Sequence, residues 1–265
     1  MVYIKHVESV KQWKQLEFTD RRLLYSHHRD IRKLPRCVVM SNRNMPVRIF
    51  DNKCKFDQIM QGSPYYPPEP KAGDLVIVKK ALSSDGQGHY ITQMDSESSF
   101  PANVCIQKLV LDPLLINGCK FSMRILIGFS RECFIMPYEN ALILVCNEPY
   151  ACSELSTELT NSSCNANNVN KFPTLREALI QNECLDAFIQ NMDRLSSDLK
   201  TRFCPHVRPN SFDVHGIDVL VQKDGTPIVI ETNPYWYSGH VGGGFVDKLE
   251  MFRRIVTTLS KHIDA

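Results

Sequence analysis

Asp218 and Glu231 stand on two apolar runs near the C-terminus, in GIDVLVQKDGTPIVIETNPYW. Lys223-Asp224-Gly225-Thr226 lies between them as a turn, so the runs predict a hairpin of Ile217–Val221 against Ile228–Ile230. Side chains alternate along a strand, and Glu231 and Asn233, two apart, leave the second run on one face beside Asp218. Three oxygen donors at one point suit Mg²⁺, a hard cation usually held by one or two carboxylates plus substrate phosphates. A solvated surface pair is the alternative. Ile217, Val219, Val229 and Ile230 weigh against it, because carboxylates at a strand end beside a core need a partner.

Two further constellations carry charge. In DLVIVKKALSSDGQGHYIT an apolar run delivers Lys79 and is followed by Ser83-Ser84-Asp85-Gly86-Gln87-Gly88. Glycines let backbone amides approach phosphate oxygens and a lysine ammonium supplies a point charge, although a Gly-containing hairpin is common without any ligand. In NVCIQKLVLDPLLINGCKFSMRILIGF, Lys120, Ser122 and Arg124 share one face at period two, with Phe121, Met123 and Ile125 on the other. Two cations on an inner sheet face would suit a triphosphate and the charge that develops as it reacts. A solvent-facing polar side of an amphipathic strand would show the same pattern.

These residues need strands to hold them. Short β-rich runs are expected at Leu75–Lys79, Val104–Val110, Phe121–Phe129, Cys133–Tyr138 and Ala141–Cys146. Upstream, a strand is expected at Cys37–Met40 and a helix at Lys53–Met60, and the prolines of GSPYYPPEPKAGD then block regular structure. After the polar stretch SELSTELTNSSCNANNVNK, Thr174 and Glu177 form a capping box. Apolar residues then recur with helical spacing from Leu175 to Leu195, which reads as one helix, and a final helix is expected over residues 245–263.

A chain of 265 residues, 43% hydrophobic and 23% charged, can build a substantial core. Its start has no apolar stretch of signal-peptide length and no later run reaches the roughly 20 apolar residues of a membrane span, so a soluble, cytoplasmic protein with no membrane partner is expected. Ten scattered cysteines without a C-x-x-C pair read as reduced thiols. The net charge of +2 hides a slope, with 13 Lys/Arg against 6 Asp/Glu in residues 1–60. That slope could attract an acidic partner or be an ordinary solvated surface. No RNA-binding signature accompanies it, and nucleic acid is not expected as a partner.

Taken in order, these motifs resemble the tubulin–tyrosine ligase family of the ATP-grasp superfamily, over about residues 75 to 234. Ile77-Val78-Lys79-Lys80 with Gly86 and Gly88 matches its I-V-K-P strand and Gly-rich loop. Gln107-Lys108-Leu109-Val110, Pro113-Leu114-Leu115-Ile116 and Lys120-Phe121-Ser122-Met123-Arg124 match Q-K-Y-I, P-L-L-I and K-F-D-x-R. Glu148-Pro149-Tyr150, Leu159-Thr160-Asn161, Phe212 with Gly216-Ile217-Asp218, and Ile230-Glu231-Thr232-Asn233 complete the set. Asp51-Asn52-Lys53 with Phe56 has the look of the D-K-x-x-F segment before the ATP-grasp core.

The resemblance implies an α+β, ATP-grasp fold in which two α+β lobes enclose a nucleotide cleft. Residues 1–70 would be a small N-terminal lobe with a Pro-rich linker, 71–112 a central lobe and 113–265 a C-terminal lobe. It further implies Lys79 and Lys120 on phosphates, the Gly86 and Gly88 loop over them, and the backbone around Gln107, Lys108, Leu109 and Val110 on adenine. Thr160 and Asn161 would line the nucleotide site and Asp218, Glu231 and Asn233 would bind Mg²⁺. Arg124 would face the transferred phosphoryl group or the carboxylate. Three positions depart from the pattern: Ser122 replaces an aspartate, Lys80 a proline, and Leu144 an arginine associated with substrate recognition.

The activity implied is ATP- and Mg²⁺-dependent joining of a carboxylate to an amine through an acyl phosphate, with catalysis resting on Arg124 and Lys120. The partners implied are ATP, an amino acid and a protein acceptor such as tubulin. The alternative is a catalytically impaired nucleotide-binding module that serves as an interaction domain, which Ser122 and Leu144 would favour.

Overall fold

The computed structural model describes residues 3–4, 17–20, 23–26, 40–41, 47–82, 88–151, 154–158, 160, 169–209, 211–233, 252, 254–255 and 257–259. It is α+β. In the N-terminal part, β1 (Tyr3–Ile4), β2 (Glu17–Asp20), β3 (Leu23–Ser26) and β4 (Met40–Ser41) form a four-stranded sheet in that order. Of the strand expected at Cys37–Met40, Met40 falls in β4 and the other three residues lie outside the described set. Helices α1 (Val47–Asp51) and α2 (Lys53–Met60) follow, and α2 has the expected bounds. Asn52 caps α2, accepting from the amides of Cys54 at 3.0 Å and Lys55 at 3.1 Å.

Residues 61–74 contain turns and extended chain without a helix or strand, as the prolines dictate. Next, β5 (Leu75–Lys80), β6 (Tyr90–Gln93) and β7 (Val104–Lys108) form an antiparallel sheet ordered β6-β5-β7. The larger sheet is built on the twelve-residue β9 (Cys119–Ser130), with β8 (Leu115–Ile116), β10 (Phe134–Ile135), β11 (Leu142–Val145), β12 (Val169–Lys171), β13 (Phe212–Val221) and β14 (Pro227–Asn233). Its main path is β12-β11-β9-β13-β14. The expected strand Cys133–Tyr138 shrinks to Phe134–Ile135, because Tyr138–Asn140 turns into a short 3-10 helix behind Pro137.

Helix α3 (Leu155–Glu158) precedes α4 (Phe172–Gln181) and α5 (Leu185–Phe203). The single helix expected from Leu175 to Leu195 is therefore two. Glu183 adopts φ 55°, a left-handed turn that ends α4, and the Cys184 amide bonds back to the Leu179 carbonyl at 3.0 Å. The hydrophobic period runs on across the break because both helices bury one stripe against the same sheet face. α4 also starts two residues before Thr174, which sits inside its first turn. Residues 252, 254–255 and 257–259 are helical, within the expected final helix, whose other residues lie outside the described set.

The core lies on one face of the larger sheet. Phe121, Met123, Ile125, Ile127 and Phe129 of β9 pack there with Leu175 and Leu179 of α4, and with Phe188, Met192, Leu195 and Phe203 of α5. Phe50, Phe56, Met60, Tyr65 and Tyr66 belong to the same cluster, so α1, α2 and the start of the proline-rich segment are anchored in it. Burial at about 25 cal/mol per Å² of apolar surface makes this face the main stabilising layer. Asp213 and His215 also project into it, with His215 Nε2 3.1 Å from Asp213 Oδ2 and the ring set edge-on to Phe50 and Phe129. Nothing in the sequence pattern singled out that pair.

Candidate active site

The opposite face of the larger sheet carries the expected charged residues. Strand registers align Leu142, Arg124, Asp218 and Glu231 across β11, β9, β13 and β14. Directly opposed residues of antiparallel strands share a face, so these four side chains form one row. Lys120 and Ser122 continue the face along β9, as their period-two spacing predicts. The far end of the same face is covered: Gly128 lies under the C-terminal helical residues, and a Cβ there would come within 2.1 Å of Ile255 Cγ2.

A β-bulge lets Glu231 join Asp218. Val219 opposes Val229, whereas Asp218 opposes Glu231, so Ile230 is an extra residue in β14. Strict alternation from Ile228 would have put Ile230 and Thr232, and not Glu231, on the cleft face. With the bulge, Glu231 and Asn233 share the face of Asp218. Thr232 turns to the core side, where it contacts Gly216 O at 3.4 Å. The sequence placed these three oxygen donors together but gave no sign of the bulge.

Arg124 grips Asp218 with two parallel bonds, Nε to Oδ1 at 2.7 Å and Nη2 to Oδ2 at 2.5 Å. Asn233 Nδ2 donates to the same Oδ2 at 3.2 Å. On the other side of the row, Lys53 Nζ at the start of α2 lies 3.7 Å from Glu231 Oε2. Burial pushes the Asp218 carboxyl above its ordinary range even with Arg124 beside it, and the charge of Glu231 adds to the shift. Burial acts upward on Glu231 too, but Lys53, Lys79 and Arg124 together outweigh it and hold this carboxyl at about 2. Asp218 is thus the member of the pair that takes up a proton first as pH falls, since three cations act on Glu231 and a single guanidinium faces Asp218. Two opposed carboxylates, Asp218 buried and Glu231 half-buried, with an amide at the same point are a donor set that fits Mg²⁺.

Lys79 extends toward this row from β5. It is buried, and its Nζ donates to Gln107 Oε1 at 2.7 Å. Burial lowers its pKa, against the pull of Glu231. Lys120 is also buried and pairs with Glu158 at the end of α3, with its Nζ 5.6 Å from the centroid of the Tyr150 ring. Glu158 Oε1 is buried with no hydrogen-bond partner among the described residues. Ser122 shares a 2.7 Å hydroxyl bond with Thr160. Leu144, opposite Ser122 in register, is buried on the same face.

The other expected residues sit around this set. Lys108 pairs with Asp74 at 2.7 Å, and the Leu109 amide is taken by the Leu75 carbonyl at 2.9 Å. Val110 joins Leu220, Ile228 and Ile230 in a small apolar cluster separate from the main core. Gly88 has φ +71°, a left-handed backbone conformation that favours glycine. Gly86 and Asn161 lie outside the described residues.

The sequence reading missed Lys53, Tyr66 and Glu158 as neighbours of this site. The D-K-x-x-F resemblance was the one available hint for Lys53. Tyr66 sits in a linker chosen for its prolines, and Glu158 in a polar stretch without periodicity.

The sequence model of the Tubulin-tyrosine ligase family matches residues 56–174. This stretch of the chain is similar to that family. It takes in Lys79, Gln107, Lys120, Arg124 and Thr160 and ends before the hairpin that carries Asp218 and Glu231. The family is one of ATP-dependent ligases that generally use ATP and Mg²⁺. No curated protein matches the chain.

Proposed function

We propose that the chain is an ATP-grasp enzyme that joins a carboxylate to an amine at the expense of ATP, adding an amino acid to an acidic protein tail such as that of tubulin. The observation that carries this reading is the row Arg124–Asp218–Glu231, flanked by Lys79 from one sheet and Lys120 from the other. In this reading residues 71–112 and 113–265 are the two lobes of the cleft and residues 1–70 the N-terminal lobe.

The triphosphate would lie along the row. Lys79 and Lys120 would hold its phosphates, and Lys120 would exchange Glu158 for a phosphate oxygen. The apolar cluster of Val110, Leu220, Ile228 and Ile230 gives adenine a seat, with Thr160 toward the sugar. Asp218, Glu231 and Asn233 would hold Mg²⁺, which when bound neutralises phosphate charge. Arg124 would then leave Asp218 for the transferred group.

A substrate carboxylate oxygen attacks the γ-phosphorus, the bond to the β-phosphate oxygen breaks, and ADP leaves. The amine nitrogen next attacks the acyl carbon, phosphate departs and the nitrogen loses a proton, completing the amide. Positioning and charge neutralisation by Lys79, Lys120 and Arg124 supply most of the acceleration in such a transfer, and no protein nucleophile is required.

Leu144 beside Ser122 makes the wall next to Arg124 apolar, which favours an amino acid other than glutamate. Labelled amino acids incubated with the protein, ATP, Mg²⁺ and a cell lysate test the substrate class. Label in a tubulin-sized band supports the reading, and label confined to small molecules overturns a protein acceptor. A second reading, a nucleotide-binding interaction module, draws on the pairing of Arg124 with Asp218 and Lys120 with Glu158, and turnover no faster than that of Glu231→Gln would favour it.

A further inference from the structure

Tyr66 lies in the proline-rich segment, has no part in the mechanism above, and is buried among aromatic rings, with Phe56 edge-on at 6.0 Å. Its hydroxyl belongs to a chain of hydrogen bonds whose direction is fixed at one end. An ammonium can only donate, so Lys79 obliges Gln107 to offer Oε1, at 2.7 Å. The amide nitrogen of Gln107 must then face acceptors, and it finds two: Tyr66 Oη at 2.7 Å and the Ile230 carbonyl at 3.2 Å. The Tyr66 hydroxyl oxygen thus accepts from Gln107.

Each end of this chain is anchored. Ile230 is the bulged residue that turns Glu231 onto the cleft face, and its carbonyl takes the Gln107 bond. One residue earlier, the Val229 amide donates to the Tyr65 carbonyl at 2.8 Å, so the proline-rich segment also runs along the edge of β14. The far end of α2 is clamped by Arg202 of α5, which donates to the Ile59 carbonyl at 2.8 Å and the Gln61 carbonyl at 3.0 Å. Asp198 in turn holds Arg202 at 2.9 Å and accepts from the Ser63 hydroxyl at 2.7 Å.

We infer that Tyr66 is a positioning residue: acting through Gln107, it holds Lys79 of the small sheet in register with the bulge that aims Glu231 from the large sheet. The purpose of this arrangement rests on the ATP-site reading above, whereas the linkage itself does not. Gln107 is the joint, because one amide side chain bonds both the lysine and the backbone beside the carboxylate. A reversed amide would set an NH₂ against the ammonium and an oxygen against the Ile230 carbonyl, and the Tyr66 hydroxyl adds a second bond to the amide nitrogen in the orientation that avoids both.

Tyr66→Phe keeps the ring in its packing and removes only the hydroxyl. Nitrogen-15 NMR of the protein without nucleotide reads the Lys79 ammonium and the Gln107 side-chain amide. The variant is expected to shift the two signals and to speed Gln107 amide exchange about tenfold, the scale of one buried hydrogen bond. ATP affinity, measured with Mg²⁺, should fall about tenfold in Tyr66→Phe on the same scale, and this loss should vanish in a Lys79→Met background.

Unchanged Lys79 and Gln107 signals in Tyr66→Phe overturn the inference, whether or not the protein binds nucleotide. An equal loss of ATP affinity with and without Lys79 also overturns it, because Tyr66 would then act through general stability. A wild-type protein that binds no ATP would sink the ATP-site reading, and the NMR signals would still decide the linkage.

Discussion

Replacing Glu158 by Gln separates the charge of this side chain from its shape. Lys120 and Glu158 are almost fully covered, with side chains 2% and 5% exposed, so the pair is screened little by solvent. Removing one partner of such a buried pair generally costs about 3–5 kcal/mol, because the remaining charge is left uncompensated. Two features reduce that figure: the Tyr150 ring stays 5.6 Å from the ammonium, and the glutamine oxygen can still accept from it. A loss of about 2–3 kcal/mol is therefore expected without nucleotide, or about 4–12 °C in melting temperature for a chain of this size.

ATP should narrow the gap. A phosphate oxygen placed on Lys120 replaces the missing carboxylate, and no glutamate then repels the triphosphate. Glu158→Gln is thus expected to bind MgATP about tenfold more tightly, the scale of one charge-assisted contact, and to gain more stability from it than the wild type does. Thermal unfolding with and without MgATP, together with a direct titration, measures both effects. A variant that is as stable as the wild type without nucleotide, or that binds ATP more weakly, refutes the assignment of Lys120 to the phosphates and of Glu158 as its stand-in counter-charge.

Burial of His89, aided by Lys79 and Lys53, lowers its pKa from 6.5 to about 4. The unfolded chain therefore binds this proton first, and His89 should make stability fall as pH drops from about 6.5 to about 4. Urea unfolding of His89→Gln across that window is expected to show a weaker slope, and an unchanged slope refutes the assignment. Gly128→Ala should destabilise the fold by about 1–3 kcal/mol through overpacking against Ile255, with a matching drop in the urea midpoint. A neutral Gly128→Ala would mean that the C-terminal helical residues do not close over this face.

The face on which Lys120, Ser122 and Arg124 lie was legible in the sequence because period-two alternation survives along the twelve residues of β9. Asp218 and Glu231 were legible for a similar reason, each being a carboxylate next to apolar strand residues, Ile217 and Val219 in one case and Val229 and Ile230 in the other. Their pairing needed a bulge at Ile230, which a residue pattern does not announce when the extra residue is itself apolar. The break at Glu183 was hidden because α4 and α5 bury the same kind of stripe, so the apolar period runs through the turn. Long-range partners were the least visible. Tyr66 reaches Gln107 across 41 positions and Glu158 reaches Lys120 across 38, and neither spacing has a local signature.

The most direct test of the proposed nucleotide site is equilibrium binding of ATP to the protein with and without Mg²⁺, beside Glu231→Gln, which keeps the shape of the side chain and removes one carboxylate. Saturable binding that depends on Mg²⁺ in the wild type and is lost in Glu231→Gln is the expected result. Absence of ATP binding by the wild type, or Mg²⁺-dependent binding that the variant retains in full, contradicts the placing of ATP and Mg²⁺ on the Arg124–Asp218–Glu231 row.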